Sequence, residues 1–598
     1  MFVVGTTGPA TAATGPEPDR DWRISTDYDF DANPFSDQFG GPGFIMTEVF
    51  ETLLSMDRHG APDFAHSLAT AYEVSKDGRH YTFHLRRGVR WSDGRPLTVQ
   101  DVLYSWNEVG PESILFSRYL TNVDRAVAVD AHTVRIDMKR PDARIPSAFV
   151  YIVPRHIWEK VPKDKLATYD PCCSVVGSGP FTITRLDGNG TTVLEPNPYF
   201  YGPRGHIRRI LLIKYGDKES QLRDLRAGSL DAMVEGESKW VGMLRGQDGV
   251  KVWNAPSPLN NVLVFNSCPP QGNDTCKAPG SHVDWKVVQD PAIRDALKWA
   301  IDRPNLLATA YRGVGGPGVS FIPPYYKPYG LWTDWSSDPE VGYRFDPDRA
   351  RRVLADGGWT CPRGGTCRRD GVTAEFTLSV RSESAEDQNA AQRIVAWAGD
   401  VGIRIKLQYV TTDRLQEDIY ATSSDDERFQ PAYDAFMWNE LGDPTTPDGL
   451  LDLLNCHSPT TDSYWCDPRF DRLADAALTE VDRAERVNLL RAADRMALAD
   501  GPYIPLVHQN IIVLTRNDTW KGYEPVLGQP YFVAWSQLQH IVPAASARPE
   551  KRGLLLTVSA GGFLLLVAGG LAVRRRRRES TEPLEFEDGP GPRVRAAR

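Results

Sequence analysis

"LRRGVRWSDGRPLTVQDV", residues 85–102, places a basic strand end, a turn and a helix start in one short stretch. Just upstream, His80-Tyr-Thr-Phe-His-Leu-Arg alternates its side chains between two faces, the period of a half-buried strand. Asp93-Gly94 is a turn pair, because glycine accepts positive φ and aspartate bonds its own backbone. Thr98 with Asp101 three residues on reads as a capping box, and Val99, Val102, Leu103, Trp106 and Val109 recur at helical spacing. The stretch predicts strand, tight turn and capped amphipathic helix. Taken alone, such a corner is scaffold rather than active site.

Outward from this corner the chain extends to 598 residues, 41% hydrophobic and 10% aromatic, ample for several packed cores. A net charge of -9 and a pI near 5.8 provide no broad basic surface for phosphate backbones, so nucleic acid is not an expected partner. No low-complexity linker interrupts residues 21–545. Strand-like segments at 193–195 and 210–213 are followed by a helical stretch at 219–228 and a strand at 230–233. A long helix is expected over 292–310, with further helices at 349–355 and 390–401 and strands at 376–380 and 403–407. The mixed order points to α/β lobes, and no fixed-period repeat is visible.

Residues 553–573, GLLLTVSAGGFLLLVAGGLAV, carry no charge and are long enough as a helix to cross a bilayer. Five arginines at 574–578 follow, and the positive-inside rule places them in the cytoplasm and the body outside. A buried core helix is the alternative, although core helices seldom lack a polar face over this length. The tail to residue 598 is charged and rich in Pro and Gly, an expected disordered segment. At the amino end, MFVVGTTGPATAATG lacks a basic start, while Ala10-Thr-Ala12 resembles a signal-peptidase site. Residues 1–20 are therefore read as the remnant of a leader, unless export relies on the carboxyl-terminal span.

Of eight cysteines, six form local couples: Cys268 with Cys276, Cys361 with Cys367 and Cys456 with Cys466. Each can close a short loop, and an external setting favours disulfides. Zinc is the competing reading, but the couples lack the tight spacing of thiolate zinc knuckles. Cys172 and Cys173 are adjacent, so a bridge between them is strained, and a redox-labile pair or two free thiols are the alternatives.

"TFHLRRGVRWSDGRPLTVQDVLYSW" resembles the signature of the large extracellular solute-binding proteins of ABC importers, the oligopeptide, dipeptide and nickel-binding family 5. Further blocks resemble that family in order: Gly177-Ser-Gly-Pro-Phe181, Glu195-Pro-Asn-Pro-Tyr-Phe200, Leu225-Arg-Ala-Gly-Ser-Leu-Asp231, DPAIRDALKWAIDR at 290–303, FDPDRARRVL at 345–354 and Gly522-Tyr523. The resemblance spans about 21–542 and excludes the carboxyl-terminal span. It implies an α/β, two-lobed periplasmic-binding-protein-like fold, with one added transmembrane helix here. Lobe I would comprise 21–265, with a subdomain at about 49–176, and a return at 504–545; lobe II would comprise 266–503. Residues 546–552 would link to the span and 574–598 would form the cytoplasmic tail. Hinge residues are implied near Phe265-Asn266 and Ile504-Pro505.

A free peptide carries an ammonium and a carboxylate, and burying either unpaired is costly. By resemblance, Asp443 takes the ammonium, although the gap from Trp438 to Asp443 is longer than in dipeptide binders, and a solvated loop carboxylate is the alternative. Arg381, at the end of Phe376-Thr-Leu-Ser-Val, would grip the carboxylate with its planar fork. Glu383 stands where an aromatic residue is expected and could neutralise Arg381. Trp438 is a candidate for stacking on ligand, or for core. Gly43 and Phe44, in Gly40-Gly-Pro-Gly-Phe44, lie where the family's first cleft loop approaches ligand. Main-chain pairing would then let one cleft accept many side chains.

The expected function is capture of di- or oligopeptides and delivery to the permease and ATPase subunits of an ABC importer, by a monomer anchored in the cell membrane. Sensing without transport, or binding of nickel, a metal chelate or another small solute, are the alternatives. No GxSxG or HExxH motif is present and the eleven histidines, among them His156, His457 and His508, are scattered, so neither catalysis nor a cofactor is expected.

Overall fold

The computed structural model describes residues 20–544, apart from 28–29, 37–42, 58–60, 172–174, 188–189, 278–284, 343, 421, 424–425, 444–445, 459, 524–537 and 539. The 1–20 leader (bar residue 20), Cys172 and Cys173, the 546–552 linker, the 553–573 span and the tail lie outside the described residues. Among the described residues no helix is long and apolar enough to cross a membrane.

The opening corner forms as its local chemistry dictates. Strand His80–Leu85 sits in a four-stranded sheet with Ala69–Val74, Thr133–Met138 and Val123–Asp130. Gly94 turns with φ +86°, and the Asp93 carboxylate accepts from the Arg95 N–H at 3.0 Å. The Asp101 carboxylate accepts from the Thr98 N–H at 2.8 Å and opens helix Val99–Tyr104. The expected helical run does not continue unchanged: Ser105–Val109 widens into a π turn, which still buries Trp106 and Val109. The corner is scaffold, as its composition predicts.

Two lobes share one sheet. Among the described residues its eleven strands include, from one edge, Arg404–Val410, Glu375–Arg381, Ala435–Leu441, Val250–Phe265, Tyr503–Arg516, Ala232–Met233, Arg20–Thr26 and Ile207–Lys214. The long strands Val250–Phe265 and Tyr503–Arg516 are antiparallel partners over most of their length, with register shifts between Pro256 and Asn260 and between Asn261 and Val262. From Leu259 on, the first strand also pairs with Ala435–Leu441, whereas the far end of the second, at Leu514 and Thr515, pairs with Ala232–Met233. The two strands thus belong to one lobe at one end and to the other lobe at the other end.

Alternation builds the cores. Leu263 and Phe265 point to one face, where helices Pro291–Ala300 and Ala385–Asp400 cover them. Val262 and Val264 point to the opposite face, onto Tyr326, Phe436, Leu450 and helix Arg483–Asp500. The other lobe buries Trp22, Ile24 and Ile210 on one face and Leu225, Trp240 and Leu514 on the other. Where the long strand is covered on both faces, at Val262–Phe265, it is apolar throughout.

The single helix expected over 292–310 is two helices, Pro291–Ala300 and Arg303–Thr309. Asp302 caps the second by accepting from the Asn305 N–H at 3.0 Å, and Pro304 supplies no N–H to continue the first. The intervening turn frees Arg303, 1% exposed, to donate to the Pro505 carbonyl at 2.7 Å and to the Lys298 carbonyl at 3.0 Å. Cys268–Cys276, Cys361–Cys367 and Cys456–Cys466 are disulfides, as read from the sequence.

Candidate functional site

Arg381, Trp438 and Asp443 lie on or just beyond strands that neighbour the shared strands, and Trp438 packs against the core. Strand Ala435–Leu441 carries Trp438 opposite Val262 and Asn439 opposite Asn261. At the end of the parallel strand Glu375–Arg381, the guanidinium of Arg381 lies over the Trp438 ring, 5.5 Å from its centroid. The structure therefore brings Arg381 and Trp438 together.

Arg381 is already paired. Its Nε and Nη2 donate to Asp387 Oδ2 at 2.9 and 2.6 Å, and Asp387 is 1% exposed. Asn261 Nδ2 donates to the other Asp387 oxygen at 3.2 Å and to Asn439 Oδ1 at 2.8 Å, extending the network across the shared strands. Glu383, the residue expected to neutralise Arg381, instead accepts from the Thr412 N–H at 3.0 Å. That bond is the leading reason its pKa is held below the ordinary glutamate value. Asp387 is placed by Ser384, whose Oγ accepts from the Asp387 N–H at 3.1 Å and caps helix Ala385–Asp400. A Ser-x-x-Asp pattern was thus the sequence signal for this partner. Burial raises the pKa of the adjacent Glu386.

Asp443 lies beyond the same strand and is 4% exposed. The Gly449 N–H, near the start of helix Asp448–Asp452, donates to its Oδ2 at 3.1 Å. A side chain at 449 would begin 2.8 Å from that oxygen, so any larger residue would push the Asp443 carboxylate aside. Tyr326 Oη donates to the Asp443 carbonyl at 2.6 Å. The remaining partners come from the other lobe. On helix Ile114–Leu120, Arg118 forms an ion pair with Asp443 Oδ1, and Tyr119 Oη donates to the same oxygen at 3.0 Å.

Sequence reasoning did not identify Arg118 and Tyr119. They stand 325 and 324 positions from Asp443, and nothing in the local pattern of helix Ile114–Leu120 distinguishes them. Around them, Arg144 holds Asp142 through Nε at 3.0 Å and Nη2 at 2.8 Å and donates to the Arg118 carbonyl at 3.0 Å. Nearby, the Ala143 N–H donates to the Leu478 carbonyl at 2.8 Å, and Arg140 pairs with Asp475, both across the lobes. The lobes are in contact along this edge.

Gly43 and Phe44 open the short helix Gly43–Met46, and the rest of their loop and their side chains lie outside the described residues. His508 lies on the shared strand Tyr503–Arg516; burial pushes its pKa down to about 3, and its Nε2 accepts from the Val319 N–H at 3.2 Å. His156 pairs with Asp93 at 2.9 Å and His457 is exposed. Among the described residues no cluster of His, Cys, Asp or Glu is arranged to hold a metal ion.

Residues 63–462 match the family described as bacterial extracellular solute-binding proteins, family 5, middle region. The oligopeptide-binding protein OppA of Bacillus subtilis is 24% identical over 533 residues, covering 82% of this chain and 87% of its own length. Protein XP55 of Streptomyces lividans is 27% identical over 492 residues, covering 80% and 81%. Among solved structures, the oligopeptide-binding protein AppA of Bacillus subtilis with a nonapeptide superposes with a TM-score of 0.68 at 17% identity, covering 88% of this chain and all of that one. NikA of Brucella suis with Fe(III)-EDTA superposes with a TM-score of 0.71 at 19% identity, again over 88% and all of its length.

Proposed function

Because this chain belongs to family 5 of the bacterial extracellular solute-binding proteins, we propose that it captures di- or oligopeptides between two closing lobes and delivers them to an ABC importer. The observation that carries this reading is the pair of shared strands, Val250–Phe265 and Tyr503–Arg516, which join two separately packed lobes. A two-strand connection lets rigid lobes rotate while both cores stay intact. Bending is expected at the register shifts beside Pro256 and Asn260, which puts the division between the lobes earlier than residue 265, because Val262–Phe265 pack in the core of lobe II.

A peptide would lie along Arg381, Trp438 and Asp443, with the loop of Gly43 and Phe44 facing it, and its main chain would pair with the cleft backbone. The names of the relatives support the ligand class: OppA is called an oligopeptide-binding protein and AppA holds a nonapeptide. Residues 553–573 would anchor the body outside the cell membrane as a single-pass protein, with 574–598 in the cytoplasm. Permease and ATPase subunits are the partners, and one chain at a time would dock.

Mass spectrometry of small molecules released by denaturing the purified protein tests this reading. Co-purified peptides of defined length are expected. A metal chelate would keep the fold and overturn the peptide assignment. NikA with its bound Fe(III)-EDTA makes that second outcome concrete.

A further inference from the structure

Asp443 does not present a vacant carboxylate to a ligand. Its side-chain oxygens take an ion pair from Arg118, the Tyr119 hydroxyl at 3.0 Å and the Gly449 N–H at 3.1 Å. The charges around it also balance without a ligand: Arg118, Arg144 and Arg486 pair respectively with Asp443, Asp142 and Asp448. An ammonium arriving at Asp443 has two options. It can displace Arg118, stranding that guanidinium beside Arg144, or it can join the cluster as an unpaired positive charge. The first exchanges one ion pair for another, and the second places an unpaired positive charge beside a carboxylate only 4% exposed, so the ammonium gains little from Asp443. Arg118 comes from lobe I and Asp443 from lobe II, so the contact that neutralises the carboxylate also holds the lobes together.

We propose that Arg118 takes the place of a ligand's amino-terminal ammonium: it latches lobe I to Asp443 and makes recognition indifferent to a free amino end, so that amino-blocked peptides belong to the ligand class. The inference rests on the peptide reading above and narrows it. Arg381 behaves in parallel at the other expected end, its charge already met by Asp387. Recognition then falls to main-chain hydrogen bonds and to contacts with Trp438 rather than to the terminal charges.

The test uses the full chain, a mixed tri- to pentapeptide library in free-amine and N-acetylated forms, and the variants Arg118→Met and Arg118→Lys. In the wild-type protein the two forms of the library are expected to bind within about threefold of one another by calorimetric competition. In Arg118→Met, Asp443 is released, and free-amine peptides should gain at least about tenfold over their acetylated counterparts, while Arg118→Lys stays near wild type. Small-angle scattering without ligand should show Arg118→Met more open than the wild type. A wild-type preference for free amines of tenfold or more, or an unchanged lobe separation in a folded Arg118→Met, would overturn the proposal. If neither library form binds the wild type, the peptide reading itself fails, and the scattering still decides whether the latch exists.

Discussion

The Arg118 and Asp443 pair and the Arg381 and Asp387 pair use the same residue types, yet the first spans 325 positions and two lobes and the second spans six within one lobe. The second is set up locally, because Ser384 caps helix Ala385–Asp400 and places Asp387 in its first turn. Closing so short a segment costs little entropy. The first exists only when two folded lobes meet, and the Arg118 side chain remains 41% exposed while Asp443 is 4% exposed. A local pair therefore contributes to the integrity of a lobe. A pair across a cleft contributes to the balance between open and closed states, and its strength need only match the few kcal/mol that separate such states.

The largest expected effect comes from breaking the local pair. Arg381→Ala leaves the buried Asp387 with Asn261 Nδ2 at 3.2 Å as its remaining side-chain donor, and a loss of about 3 to 5 kcal/mol in urea unfolding is expected for a stranded buried charge. Lobe separation in scattering should stay at the wild-type value. If Arg381→Ala opens the lobes, the division between a structural and a closing pair does not hold.

The next effect separates folding from closure by pH. Burial raises Glu51 to about 7, against hydrogen bonds that lower it. Because its folded pKa lies above the unfolded one, its stabilising contribution is present below about pH 4.5 and is lost as pH rises through 7. Glu51→Gln should therefore gain on the wild type by about 3 kcal/mol between pH 4.5 and 8, the size of a two-to-three-unit shift. Tyr201 of the same lobe is its hydrogen-bond partner, so closure should not follow this titration. A lobe separation that tracks the Glu51 window would tie closure to this carboxyl as well as to Arg118.

The smallest expected effect is the most direct. A double-mutant cycle of Arg118→Met and Asp443→Asn, read as the open-to-closed ratio from fluorescence transfer between labelled lobes, should give a coupling of about 1 kcal/mol. The half-exposed guanidinium keeps this below the value for a fully buried pair. A coupling near zero would mean that Ala143, Leu478, Arg140 and Asp475 hold the edge without it.

Much of the scaffold could be read directly. The turn at Gly94, the cap at Asp101 and the three disulfides all follow from residues close together in the chain. Local signals compete over 292–310: periodicity predicts one helix, but Asp302 and Pro304 divide it. The site was harder to read. Asp443, Arg381 and Trp438 could be named from resemblance, but the choice between Glu383 and Asp387 as partner of Arg381 depends on which face of a helix meets which strand.

The amino-acid sequence by itself determined the opening strand, turn and helix cap, the short disulfide loops and the family, because each is set by neighbours along the chain or by ordered blocks of residues. Only the tertiary structure decided how Val250–Phe265 and Tyr503–Arg516 pair and where their register shifts, and that Arg118 answers Asp443. The physical reason is distance along the chain: pairings between segments hundreds of residues apart leave no periodic trace, and become visible only when packed cores bring their surfaces together.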